Sequence, residues 1–129
     1  MGTQDEYRAK AREALEKLQQ QIDELRVQAN LAGAEARTRF EKAIDALRKR
    51  QAETKSRLDH AADATGDAWK NAAKQMEDAV DGIGEAFSTL ADEIDANLRS
   101  AGTAAKAGHK AFMEEWKKQK DARERLLSD

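Results

Sequence analysis

The sequence predicts an all-α protein: a long antiparallel two-helix coiled-coil hairpin that dimerises into a four-helix bundle. Three observations carry this. Apolar residues recur with a 3.5-residue period on both sides of a break near the midpoint, the signature of helices packed in a coiled coil. Composition agrees: 37% of the 129 residues are charged, 5% are aromatic and none is proline. Alanine supplies 26 residues, about half of the 40% hydrophobic fraction, which suits a thin helix–helix seam better than a thick core. Third, large seam residues fall opposite small ones when the chain is folded at its midpoint.

Helix one is expected over about residues 3–60. Thr3 followed by Glu6 forms a capping box at its start. Its seam is Ala11, Leu15, Leu18, Ile22, Leu25, Ala29, Ala32 and Ala36, in steps of four and three. Between Ala36 and Leu47 successive four-residue steps through Phe40 and Ile44 make a stutter, which locally relaxes a supercoil. The turn is expected at about 60–66, with Thr65 capping helix two and Asp67 favoured in its first turn.

Helix two is expected over about 66–127. Ala73, Val80, Phe87, Ile94 and Ala101 recur every seven residues, with Met76, Ile83 and Leu90 between them. Gly82, Gly84, Gly102 and Gly108 each weaken a helix by about 1 kcal/mol relative to alanine, so the arm is expected to soften near 100–108. Folding the arms pairs residue i with roughly 127 − i. Leu18 then faces Gly108, Ala32 the Ile94 region, Ala36 Leu90, Leu15 Phe112 and Ala11 Trp116. Phe40 against Phe87 and Leu58 against Trp69 make two bulky layers. Residues 75–98 carry seven acids and no Lys or Arg, and their partners over 29–52 are rich in bases, which favours this register.

Two further apolar stripes point to association. Ala72, Ala79 and Ala86 add a third apolar position per heptad on helix two, and Val27, Leu31 and Ala34 lie off the seam of helix one. A helix with such a third position packs against more than one neighbour. These six residues are the candidate interface, although alanine also fills exposed helix positions without any such role.

The search for chemistry yields little. A net charge of −2 gives no bulk attraction to nucleic acid or anionic lipid, and no cysteine is available for disulfide or thiolate chemistry. The acidic start, Met1 to Glu6, does not read as a signal peptide, and no apolar run is long enough to span a membrane, so a cytoplasmic protein is expected. Metalloprotease, nucleophile-elbow, phosphate-loop and EF-hand motifs are missing. His60 stands among Asp59, Asp63 and Asp67, which read as a solvated turn rather than a cation site. Trp69 and Trp116 share the seam phase and read as core rather than as membrane anchors. The basic runs at 48–50 and 117–120 lack interleaved aromatics and read as solvated faces. No catalytic, cofactor-binding or metal-binding residue is assigned, and the chain is expected not to be an enzyme.

The stretch from Leu18 to Leu25, the run Ala34 to Phe40, Ile44 to Leu47, and above all Gly66-Asp67-Ala68-Trp69 after a Leu58-to-Ala61 step resemble small bacterial coiled-coil proteins of a stress-response family first recognised in cyanobacteria. The resemblance covers about residues 5–95 and implies a soluble helical bacterial protein without catalytic residues. The expected function is therefore that of a non-enzymatic structural or interaction protein, stress-related and homo-oligomeric, acting through helix faces on a second hairpin or a protein client. The alternative is an amphipathic protein of lipid or granule surfaces, similar to apolipoproteins and phasins. There Phe87, Trp69, Phe112 and Trp116 would insert, and the glycines would supply flexible points.

Overall fold

The computed structural model describes residues 3–98 and 104–128. Among these residues the chain is helical, with no strand: α1 Thr3–Ala29, α2 Ala34–His60, a 3₁₀ turn Ala61–Asp63, α3 Gly66–Leu98, α4 Ala104–Lys118 and α5 Lys120–Ser128. Gln119 alone separates α4 from α5. Its amide reaches back to the Glu115 carbonyl at 3.1 Å, and the Arg123 amide bonds the Gln119 carbonyl at 3.0 Å, so the two form one leg.

The single helix expected over 3–60 is corrected to two. α1 and α2 fold back on each other, as their cross-links show: Arg12 with Asp59, Gln51 Nε2 donating to the Leu15 carbonyl at 3.0 Å, Arg48 with Asp23 at 3.5 Å and Arg26 with Asp45 at 3.9 Å. As the number on α1 rises, that on α2 falls. The single helix expected over 66–127 is corrected in the same way. His109 of α4 meets Gly84 of α3, and Lys106 meets Asp92, so α4 runs antiparallel to α3. Of the stretch expected to soften, 100–108, residues up to 103 lie outside the described residues, as does the seam position Ala101, while 104–108 lie within α4.

The two-arm hairpin is thus doubled over. α1 packs on α2, α4 and α5, and α3 packs on α2 and α4. α1 and α3 also touch, running parallel: Gln4 bonds the Ala64 carbonyl, and Tyr7 lies against Ala73 and Glu77. The physical reason is burial. A lone hairpin gives each arm one neighbour and one covered stripe, whereas a doubled hairpin lets each leg bury residues against two or three others.

One continuous core results. Leu15, Leu18, Ile22 and Leu25 of α1, Phe40 and Ile44 of α2, and Val80, Ile83, Phe87 and Ile94 of α3 are fully or almost fully enclosed. α2 shows how period and burial agree: Phe40, Ile44, Leu47, Gln51, Thr54 and Leu58 step by four and three and are all buried. The two polar members are paired, Gln51 with α1 and Thr54 Oγ1 donating to the Arg50 carbonyl at 2.7 Å. Between α2 and α3, Ala64 is extended and Gly66 takes φ +59°, a left-handed conformation that restarts the helix in a new direction.

The doubling also redistributes charge. The bases of 29–52 were expected over the acids of 75–98. Arg48 pairs instead with Asp23 of α1, while Glu77, Asp92 and Asp95 of α3 take cations from α4 and α5: Arg123 and Lys106.

Candidate interaction surfaces and buried polar sites

The six candidate interface residues divide into two places. Val27, Leu31 and Ala34 lie at the α1–α2 turn and are exposed, the first two by 64% and 71%. Among the described residues they are the large apolar side chains left in water. Ala72, Ala79 and Ala86 lie along α3 and are half-buried. Ala72 and Ala79 line a groove of about 260 Å³ between α2 and α3, together with Leu58, Trp69 and Met76. Tyr7 of α1 stands level with Ala73 of α3, so Val27 lies about 30 Å farther along the bundle than Ala72, at 1.5 Å per residue. By the same count Ala86 lies about 10 Å below Val27 along the axis, so the α3 stripe runs from the far end of the bundle towards the exposed set.

The side chains named as lipid anchors are inside: Phe87 is enclosed, Trp69 and Trp116 are buried and Phe112 is half-buried. Met113 packs so closely over Gly84 that a Cβ there would come within 2.7 Å of its sulfur. The close approach of α4 to α3 is therefore what this glycine permits.

Two buried polar clusters tie the α4–α5 leg to the rest, and composition gives no sign of either. In the first, the Arg123 side chain is 3% exposed. Its Nε and Nη2 donate to the two Glu77 oxygens at 2.9 and 2.7 Å, and Nη1 donates to the Trp116 carbonyl at 2.6 Å. The guanidinium also lies 3.5 Å from the Trp116 ring centroid. Tyr7 donates to Glu77 at 2.6 Å, and burial first, then Glu77, pushes its phenol above the ordinary range. The fork of Arg123 is spent on holding α5 to α3, not offered to a ligand.

In the second cluster, His109 is 2% exposed, 4.1 Å centroid to centroid from Phe87. Its Nε2–H donates to the Gly84 carbonyl at 2.9 Å, and Nδ1 lies 2.9 Å from the Gln21 amide. The Gln21 atom facing Nδ1 is Oε1, to which a protonated ring donates; a neutral ring carrying its proton on Nε2 accepts there only from the N–H of a flipped Gln21 amide. Burial depresses the His109 pKa, and the Gly84 carbonyl works against that shift. Also on α3, the Asp81 pKa is raised by burial and by Glu77, with Lys120, Lys117 and Arg123 opposing.

A groove of about 610 Å³ runs between α1 and the α4–α5 leg, lined by Lys10, Lys17, Glu24, Phe112, Trp116 and Arg123 among others. No cluster of His, Cys, Asp or Glu suited to a metal ion occurs among the described residues, so His60 and its neighbouring aspartates do not form one. His60 instead bonds its own helix, with Nδ1 2.7 Å from the Ser56 carbonyl. Among the described residues no helix is long and apolar enough to cross a membrane. Compared with known proteins, the chain matches no family model, no curated protein and no solved structure.

Proposed function

We propose that this chain is a non-enzymatic helical interaction protein that associates with further copies of itself, or with a protein client, through the apolar stripe at the α1–α2 turn. One observation carries the reading. Val27 and Leu31 stay 64% and 71% exposed, whereas among the described residues the other large aliphatic side chains are wholly or partly enclosed. They gather with exposed Ala34 at one end of the bundle, Val27 on the last turn of α1, Leu31 in the connection and Ala34 at the start of α2, an apolar patch left open to a partner. Four polar groups inside the bundle support the same reading, because Arg123, Glu77, Tyr7 and His109 are engaged with one another or with backbone. The resemblance to bacterial stress-response coiled coils points to a stress-related role for such association.

The test is the double substitution Val27→Glu, Leu31→Glu. Sedimentation should show a loss of self-association or of client binding, with helix content by circular dichroism unchanged because both sites face solvent. An unchanged mass distribution would remove these residues from the interface.

A further inference from the structure

Nothing in the four-residue connection 30–33 obliges the chain to reverse there. The sequence has no proline. Gly33 adopts φ −61° and ψ 160°, open to any residue, and a Cβ there would meet nothing within 4 Å. The connection still bonds backwards as a tightening helix does. The Asn30 amide reaches Arg26 at 3.1 Å, Leu31 reaches Gln28 at 3.0 Å and Ala32 reaches Ala29 at 3.1 Å. The seam crosses it in phase as well: at about 100° per residue, Leu25, Ala29, Ala32 and Ala36 fall within about 60° of one another on a straight helix. α1 ends for lack of a strong helix former at Asn30 and Gly33, not because the backbone is forced to turn.

Resting on the self-association just proposed, we infer its route: two chains exchange α1. Residues 30–33 straighten, α1 and α2 become one helix over 3–60, and α1 of each copy occupies the place on α2, α3, α4 and α5 that it fills in its own chain here. Every contact of α1 is remade between copies, including Arg12 with Asp59, Arg48 with Asp23 and Gln51 with the Leu15 carbonyl. The core is therefore identical in both forms, and the balance rests on the connection and on chain concentration. The two long helices run antiparallel, and near the two-fold axis they meet through Ala29, Ala32 and Ala36, whose small side chains allow close approach. Straightening also joins Val27, Leu31 and Ala34 into an unbroken outer stripe on the face opposite the seam, ready for further association.

The absence of native cysteine makes the exchange directly readable. In the full chain carrying Arg12→Cys and Asp59→Cys, a short bismaleimide joins α1 to the α2 it packs on. Dimer isolated by size exclusion should give a covalent dimer on a denaturing gel, because each link then runs between chains. Gly33→Ala should raise the dimerisation constant on the order of 10- to 30-fold, one helical glycine being replaced in each of two copies. Gly33→Pro, whose ring suits φ −61° but forbids a continuous helix, should leave a helical monomer and no exchanged dimer. A dimer whose links stay within single chains overturns the exchange and leaves face-to-face association standing. So does a dimer indifferent to both Gly33 substitutions. A chain that stays monomeric at every concentration, Gly33→Ala included, overturns both.

Discussion

α1, α2 and α3 are held together differently from the α4–α5 leg. The first three legs meet through aliphatic and aromatic side chains that are enclosed almost completely, among them Leu18, Ile22, Ile44, Val80 and Phe87. Among the described residues the fourth contributes one buried seam side chain, Trp116, with Phe112, Met113 and Leu126 only partly covered. Its other buried anchors are His109 and Arg123. Aliphatic burial is non-directional and indifferent to pH, whereas hydrogen bonds and ion pairs hold only while geometry and protonation persist. One molecule thus combines a body that fails only when it unfolds with a leg that can be loosened at named contacts.

The largest effect that sharpens this comparison comes from Arg123→Ala. It leaves the half-buried Glu77 without its guanidinium, at a cost of up to about 3–5 kcal/mol. Hydrogen exchange should show the loss confined first to α5 and α4, with α2 amides still protected. Equal loss in α2 would mean that the leg and the body unfold as one unit. Leu18→Ala, inside the body, should cost about 2–5 kcal/mol in urea unfolding and should lower protection in α1, α2 and α3 together.

Gly84→Ala probes the seam between the two regions. A Cβ there overlaps Met113, so the expected cost is about 1–3 kcal/mol. Adding Met113→Ala should return part of it, because the two sites touch. Additive losses would place Met113 elsewhere.

A smaller effect follows from pH. The His109 pKa is depressed in the folded chain below its ordinary 6.5, so the unfolded chain binds the proton more readily. Stability is therefore complete above about pH 6.5 and is lost as pH falls from there towards the folded value. His109→Gln should flatten that slope in urea midpoints measured across this range, and an unchanged slope would assign it to other groups. The smallest expected loss is at the α2–α3 turn, where Gly66→Ala forces a side chain into φ +59° at about 1 kcal/mol, read from the thermal midpoint.

How much was legible differs residue by residue. Of the predicted first seam, Ala11, Leu15, Leu18, Ile22, Leu25, Ala29 and Ala32 are buried and Ala36 is partly buried; Ala73, Met76, Val80, Ile83, Phe87, Leu90 and Ile94 of the second are buried. Trp69 and Trp116, read as core from phase alone, are core. Glu77 and Arg123 were not distinguishable from the many other charges of a polar helix surface. His109 sits at no seam position, and its burial follows from α4 turning back onto α3 over Gly84. Lys106 with Asp92 and Asp95 likewise exists only because that reversal brings the two helices side by side.

Local period and composition alone determined that this chain is helical and which face of each helix is apolar, because both depend on residues three and four apart. They also distinguished Val27 and Leu31 as apolar residues off that face. Where the long arms break, and that α1 also meets α2 and α3 also meets α4, was decided by the tertiary structure. The heptad phase of Leu25, Ala29, Ala32 and Ala36 is the same whether residues 30–33 are straight or folded. The choice rests on how many neighbours each leg can then bury against, a property of the whole chain that no window of sequence contains.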